Sequence, residues 1–238
     1  MTYDLIIALL TLISLEVILG IDNIIFISIL TQKLPAEQRD KLRKTGIGLA
    51  MIIRLFLLTI ISYIMKLENT LFSFQDIDIS GKDLILISGG LFLMFKSTKE
   101  IYLKTEHDGE EEENLANGKS NTFKELLIQI LVLDVVFSID SIVTAVGMVD
   151  NLYIMYAAVI ISVGIMFMAS GAISNFIQKH PSFKILALCF LIVIGISLMA
   201  EGLDFDIPKG YIYFSMAFAF LVDVIQLKTS TPKKKQKK

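Results

Sequence analysis

Long apolar stretches separated by short polar segments make up most of this chain. Seven of them are about 20 residues long, which is enough for an α-helix to cross a hydrocarbon core about 30 Å thick. They lie at 5–30, 46–65, 84–103, 125–149, 152–176, 184–204 and 210–228. The pattern predicts an all-α membrane protein with seven transmembrane helices.

The basic residues predict how these helices are oriented. Lysine and arginine collect in the segments after the first, third and fifth stretches and in the tail, where 233–238 holds five lysines. On the other side lie only Lys66, Lys82 and Lys209. Because cytoplasmic loops of membrane proteins are enriched in Lys and Arg, we expect the N-terminus outside and the C-terminus inside.

An internal repeat relates the first stretch to the fourth. Residues 15–25 (LEVILGIDNII) align without gaps to residues 133–143 (LDVVFSIDSIV). Each copy has an acid, five further residues, and then a second acid followed by a small polar residue. An odd number of helices per copy makes the second half inverted relative to the first, which is an architecture of many secondary transporters.

The repeat divides the chain into five predicted parts. They are a first three-helix repeat (1–103), an acidic, disordered cytoplasmic loop (104–124), an inverted second repeat (125–204), a seventh helix (205–228) and a basic cytoplasmic tail (229–238).

Four carboxylates lie inside the apolar stretches, at Glu16, Asp22, Asp134 and Asp140. An ionised Asp at the centre of a membrane helix costs about 2.5–3.5 kcal/mol, so four unpaired carboxylates would cost about 10–14 kcal/mol. Salt bridges to Arg54 and Lys96 are the purely structural explanation, but two cations neutralise at most two carboxylates. The remainder require protons or bound cations.

The spacing of the acids leads to two geometric expectations. Six residues turn an ideal helix by about 600°, which leaves the two acids of each motif about 120° apart. An unwound turn at Gly20 and Ser138 would let both acids of a motif face one site. Inversion also predicts that Glu16 shares its depth with Asp140, and Asp22 with Asp134, so that four carboxyls meet at the axis between the halves.

The chemistry of the polar groups favours a hard cation. Every candidate ligand inside the apolar stretches is an oxygen, whereas the histidines His107 and His180 lie at predicted inner turns and Cys189 is the only cysteine. Oxygen ligands suit Mg²⁺, Ca²⁺ and Mn²⁺, while zinc and copper sites use imidazole or thiolate. Surplus carboxylates also leave sites for protons, which is compatible with proton-coupled exchange.

Four further acids leave a second site open as a question: Glu100, Glu201, Asp204 and Asp223. A Gly-rich phosphate-binding motif and a His-Glu-x-x-His zinc motif are both absent from the sequence, and no nucleophile accompanies the paired carboxylates. We therefore predict that the protein is not an enzyme. The net charge of −2 gives no argument for binding to nucleic acid.

Residues 15–25 and 133–143, with the segment 208–214 (PKGYIYF), resemble the TerC family of bacterial integral membrane proteins over nearly the whole chain. The chain is most similar to short members without a soluble CBS domain. The resemblance implies a seven-helix fold related to the LysE-type exporter superfamily and a place in the bacterial cytoplasmic membrane. It also implies a role in metal-ion homeostasis, since several members are viewed as manganese exporters. It implies six ion-binding residues, which are Glu16, Asp22, Asn23, Asp134, Asp140 and Ser141.

Two functions follow as expectations. The leading one is a secondary transporter whose exported substrate is Mn²⁺ or a similar divalent cation. We expect it to lie in the lipid bilayer and to hold no tightly bound cofactor. The alternative is a membrane accessory protein that works with the protein-export machinery and helps translocated proteins to acquire metal or to insert. The metal, the direction of transport, the coupling ion and the oligomeric state stay open.

Overall fold

The computed structural model describes residues 2–60, 69–74, 77–106, 122–149, 151–205 and 207–229. Within these ranges the chain forms seven long α-helices and one pair of short strands. The elements are α1 (Thr2–Thr31), α2 (Ala36–Thr59), β1 (Thr70–Phe74), β2 (Ile77–Ser80), α3 (Gly81–Glu106), α4 (Phe123–Met148), α5 (Leu152–Lys179), α6 (Pro181–Glu201) and α7 (Lys209–Thr229).

The described part of each predicted span lies on a helix, and five of the described helices are long and apolar enough to cross a membrane: α1, α4, α5, α6 and α7. The first half of α2 is highly charged, and α3 carries charged residues in both end turns, so their composition differs from that of the other five. The count of seven spans therefore stays a prediction. The end of the second span beyond residue 60 lies outside the described residues, as do most of the predicted acidic loop (107–121) and the tail (230–238).

The hydropathy pattern did not predict the two strands that precede α3. β1 and β2 pair antiparallel, with Phe72 opposite Ile79 and Phe74 opposite Ile77. β2 leads directly into α3 through a reciprocal cap, in which the Ser80 backbone N–H donates to Asp83 Oδ2 at 2.8 Å and the Asp83 N–H donates to Ser80 Oγ at 3.2 Å. This capping arrangement satisfies backbone donors that the first turn of a helix leaves without partners.

The helices pack in a regular set of pairs. α1 packs along α5, α2 along α4, and α3 along α6, while α7 packs on α6. Apolar side chains from all of the first six helices form one continuous core, including Leu12, Leu58, Leu93, Leu133, Met155 and Leu188. The acidic motifs of α1 and α4 are therefore held inside an apolar bundle.

The crossing of α3 and α6 depends on two glycines. A Cβ atom on Gly90 would lie 2.5 Å from the carbonyl oxygen of Gly195, and one on Gly195 would lie 2.8 Å from the carbonyl oxygen of Gly90. The obstacle at each position is backbone, which cannot move aside as a flexible side chain can. The two helices can approach this closely only where both residues lack a side chain.

Substituting Gly90 with alanine is therefore expected to lower the free energy of unfolding by about 1–3 kcal/mol, which is typical of overpacking in a close-packed interior. Thermal unfolding of the purified protein in detergent measures the change. Gly164→Ala is the matched control, because a Cβ there meets nothing within 4 Å and gains the same helix propensity. Equal unfolding temperatures for the two variants would contradict the close crossing.

Candidate functional site

The two acidic motifs lie on unbroken helices. α1 is continuous through Gly20 and α4 is continuous through Ser138, so the predicted unwound turn is wrong at both positions. A Cβ atom on Gly20 would collide with the sulfur of Met166 on α5, which shows that this glycine makes room for a packed thioether. The Ser138 hydroxyl instead takes part in a buried hydrogen-bond network.

That network centres on Arg54 of α2, whose side chain is only 3% exposed. Its Nη1 donates to Glu16 Oε2, its Nη2 lies 3.4 Å from Asp134 Oδ1, and its Nε donates to Ser138 Oγ at 3.1 Å. Ser138 Oγ in turn donates to Asp134 Oδ2 at 3.3 Å. One guanidinium thus serves an acid from each motif, using the fork geometry that favours Arg over Lys in buried ion pairs. We call these four residues the arginine cluster.

The second acid of each motif faces a small internal cavity of about 30 Å³, which has room for about one or two waters or an ion. We call it the carboxylate cavity. Its polar lining consists of Asp22, Asn23, Arg54, Asp140, Ser141, Ser197 and Lys209. Lys209 Nζ donates to Asp140 Oδ2 at 2.5 Å. Asp22 makes no hydrogen bond or ion pair with any residue that the structure describes.

A chain of ion pairs leads from the carboxylate cavity toward the surface. Lys209 Nζ, at the start of α7, lies 3.4 Å from Glu201 Oε2 as well as bonding to Asp140. Glu201 Oε1 lies 3.3 Å from Lys82 Nζ. The Lys209 side chain is 33% exposed whereas that of Asp140 is 6% exposed, so the lysine bridges the interior and the surface.

The remaining acids that the sequence singled out lie elsewhere. Glu100 forms an ion pair with Lys33, and Asp204 is exposed in the turn after α6, with a φ of 62° that aspartate tolerates better than most residues. Asp223 lies on α7, where its buried Oδ2 accepts no hydrogen bond from a described residue. Of these four acids, only Glu201 connects to the carboxylate cavity.

The structure divides the six predicted ligands into two groups. Asp22, Asn23, Asp140 and Ser141 line the carboxylate cavity, while Glu16 and Asp134 belong to the arginine cluster. The Asn23 amide joins the two by donating to Asp134 Oδ1 at 3.5 Å. In the described part of the chain, no three acidic, histidine or cysteine side chains come together closely enough to hold a metal ion. Protein carboxylates at this site could therefore supply at most two charged ligands.

The purely structural explanation of the buried acids paired them with Arg54 and Lys96. Lys96 Nζ instead lies 5.6 Å from the centroid of the Phe92 ring on its own helix, and the second cation that pairs with a motif acid is Lys209. The available signal was its place in the segment 208–214, where a lysine immediately precedes an apolar stretch.

Apolar helices that enclose four carboxylates, an arginine and a lysine define a multi-pass membrane protein with a charged interior, and intramembrane charges of this kind mark functional sites. All of the chain, residues 1–238, matches the integral membrane protein TerC family, and the chain belongs to that family.

Relatives in two size classes agree with this assignment. A UPF0053 protein of Haemophilus influenzae is 50% identical over 222 residues, covering 93% of both chains. The UPF0053 inner membrane protein YgdQ of Escherichia coli is 48% identical over 92% of this chain and 91% of its own length. The UPF0053 protein YegH of Escherichia coli is 48% identical over 91% of this chain, which spans only 41% of YegH. No solved structure matches the chain.

Proposed function

We propose that this protein is a secondary transporter of the bacterial inner membrane that exports a divalent metal cation, with Mn²⁺ as the first candidate substrate. The observation that carries the proposal is the carboxylate cavity, where Asp22 and Asn23 of one motif meet Asp140 and Ser141 of the other. The location rests on the apolar helices and on relatives such as YgdQ that are named inner membrane proteins.

The positive charges nearby distinguish the two pairs of acids: one pair is neutralised within the structure, and the other is available to an ion. Arg54 compensates the arginine cluster, where it contacts both Glu16 and Asp134. In the carboxylate cavity Lys209 serves Asp140, and Asp22 has no partner among the described residues. A buried unpaired carboxylate is unfavourable until a proton or a cation arrives, which makes Asp22 the first point of contact for an entering ion.

The ligand chemistry favours a hard ion. Carboxylate oxygens, the Asn23 carbonyl and the Ser141 hydroxyl suit Mn²⁺, Mg²⁺ or Ca²⁺, and water would complete the coordination shell of an ion that has few protein ligands. In this proposal the ion takes the place of the Lys209 ammonium on Asp140. A proton on Asp22 in the ion-free state would supply exchange coupling.

The helix pairs support an inverted relation between the halves. An inverted repeat relates α1 to α4, α2 to α5 and α3 to α6. Under this relation the α1–α5 pair corresponds to the α4–α2 pair, and the α3–α6 pair corresponds to itself, as the observed packing has it. The α3–α6 crossing is reciprocal in detail, since Gly90 faces Met199 while Gly195 faces Met94. A two-fold axis through this crossing would make the two acidic motifs face each other, as alternating-access transporters require.

The test of the proposal is ion flux into proteoliposomes that contain the purified full chain. We expect Mn²⁺ to move down an imposed gradient, with opposing proton movement reported by a pH-sensitive dye inside. Mg²⁺ and Ca²⁺ measured in the same way give the selectivity. Absence of flux for all three ions, from protein that elutes as a folded monodisperse species, would overturn the transporter and favour the accessory role.

Lys209 gives a separate prediction about binding. Lys209→Gln removes the cation that competes for Asp140, so Mn²⁺ is expected to bind about tenfold more tightly, a change equal to about 1.4 kcal/mol. Equilibrium binding of radioactive Mn²⁺ to the detergent-purified protein measures it. Lys82→Gln is the control, because Lys82 contacts Glu201 and makes no ion pair with Asp140. Weaker binding in Lys209→Gln would mean that the lysine helps to build the site.

A further inference from the structure

Although α7 packs on α6, it leaves a deep apolar groove beside it. Ile212 is the only residue of this helix that is buried. Between α7 and the facing sides of α1, α5 and α6 lies a space of about 1040 Å³, which we call the α7 groove. Its lining is almost entirely apolar and includes Ile21, Phe176, Phe183, Phe190, Phe220 and Ile225.

The α7 groove has the length of one membrane leaflet. On α7 its lining runs from Tyr213 to Ile225, a distance of about 18 Å at about 1.5 Å per residue. Half of a hydrocarbon core about 30 Å thick is about 15 Å. The groove therefore matches an extended hydrocarbon chain that lies along the helix, and an empty groove would leave its walls without dispersion partners.

One end of the α7 groove is aromatic and lies next to basic residues. Phe183 lies 4.7 Å from Phe176 and 5.0 Å from Phe220, measured between ring centroids, and so links three helices. At the same end α5 finishes at Lys179 and α7 finishes just after Lys228, both of which are exposed. Positive charge beside an apolar groove complements an anionic head group attached to a hydrocarbon tail.

Two other charged residues belong to this end of the bundle. Lys184 is buried on α6 and has a partner of its own, and Asp223 is a partly buried acid on α7. The positive charge next to the groove is that of the exposed Lys179 and Lys228. This end is also the one that the distribution of basic residues predicts to be cytoplasmic.

We propose that the α7 groove binds an anionic phospholipid of the cytoplasmic leaflet, with one acyl chain along α7 and the phosphate beside Lys179 and Lys228. The deep end of the groove reaches Asp22, which also lines the carboxylate cavity. The bound chain thus covers this carboxylate on its membrane side and keeps water from reaching it laterally. The proposal does not depend on ion transport.

The absence of tryptophan from the chain makes a direct test possible. Phe220→Trp places the only indole in the α7 groove, while Phe218→Trp places it two residues away, at a site that is 61% exposed and outside the groove. Each full-length variant is reconstituted in phosphatidylcholine vesicles. Its fluorescence is then titrated with brominated phosphatidylglycerol or with brominated phosphatidylcholine, because bromine on an acyl chain quenches an indole in contact with it.

We expect the Phe220→Trp variant to be quenched at a roughly tenfold lower fraction of brominated phosphatidylglycerol than of brominated phosphatidylcholine, given the attraction of two lysines for an anionic head group. The Phe218→Trp variant should respond equally to both lipids. Adding Lys179→Gln and Lys228→Gln to Phe220→Trp should abolish the preference.

Two results would overturn the proposal. Equal quenching of Phe220→Trp by both lipids would show that the head group is not selected. Quenching of Phe218→Trp but not of Phe220→Trp would show that protein, such as a second copy of this chain, covers the groove. If Phe220→Trp does not fold, Phe190→Trp on the α6 wall of the groove gives the same readout.

Discussion

Replacing Asp22 with asparagine should stop Mn²⁺ flux into proteoliposomes and, at the same time, raise the unfolding temperature of the protein. Asparagine has the same shape without the charge, so the carboxylate cavity keeps its volume but loses one of its two charged ligands. Truncating one partner of a buried charge interaction costs about 2–5 kcal/mol, which corresponds to a fall in flux of about 30-fold or more. Stability should rise because Asp22 has no partner among the described residues.

Asp140→Asn should lose flux to the same degree but with the opposite effect on stability. Asp140 accepts a hydrogen bond from Lys209 at 2.5 Å, and neutralising it leaves that ammonium with Glu201 as its remaining partner among the described residues. Removing one member of a partly buried pair destabilises a fold. The two substitutions therefore separate the shared effect on transport from their different effects on folding.

Asp40→Asn is the matched control for both substitutions. Asp40 is an exposed acid on α2 that pairs with Arg43 and Lys44. The hydrogen bond from Lys44 lowers the pKa of Asp40, so this carboxylate stays ionised throughout a neutral assay, and its loss should leave flux within about twofold of wild type. Wild-type flux in Asp22→Asn and Asp140→Asn would show that ions do not pass through the carboxylate cavity.

The largest expected effect on stability belongs to Arg54→Met. Methionine fills similar space but leaves Glu16 and Asp134 buried without their cation, and breaking a buried pair in this way costs about 3–5 kcal/mol. Thermal or denaturant unfolding of the purified protein in detergent measures the loss. Arg54→Lys should recover only part of it, because an ammonium cannot reproduce the forked contacts with Glu16, Asp134 and Ser138.

A triple variant decides whether the loss comes from the unpaired acids. Arg54→Met combined with Glu16→Gln and Asp134→Asn removes all the charges together, and a neutral, well-packed replacement of a buried ion cluster is often no less stable than the original. We expect most of the stability to return. Equal instability in the single and triple variants would assign the effect to packing around Arg54 and not to charge.

The helices were largely predictable because their cause is local. A stretch of about 20 apolar residues satisfies its backbone within a helix wherever it packs, and the predicted fifth span, 152–176, accordingly lies within Leu152–Lys179. The strands Thr70–Phe74 and Ile77–Ser80 were missed. They are too short for a hydropathy window, and their backbone hydrogen bonds depend on pairing with each other.

The sequence by itself determined that this is a helical membrane protein with four acids in its interior, because apolar length and repetition are visible along the chain. The burial of all four acids agrees with that reading. It also determined that each of those acids needs a countercharge or a proton. Burying an ionised carboxylate is costly whichever residue lies beside it, so this requirement can be read from the sequence.

Only the tertiary structure decided which groups provide that compensation. Spacing along one helix fixes the angle between the two acids of a motif but not which other helix faces them. Arg54 therefore reached Glu16 and Asp134, and Lys209 reached Asp140, through packing alone. Packing also let Gly20 and Ser138 remain in unbroken helices, and it left a groove between α7 and the facing helices beside Asp22. These features depend on contacts between residues far apart in the chain, which no local pattern of residues encodes.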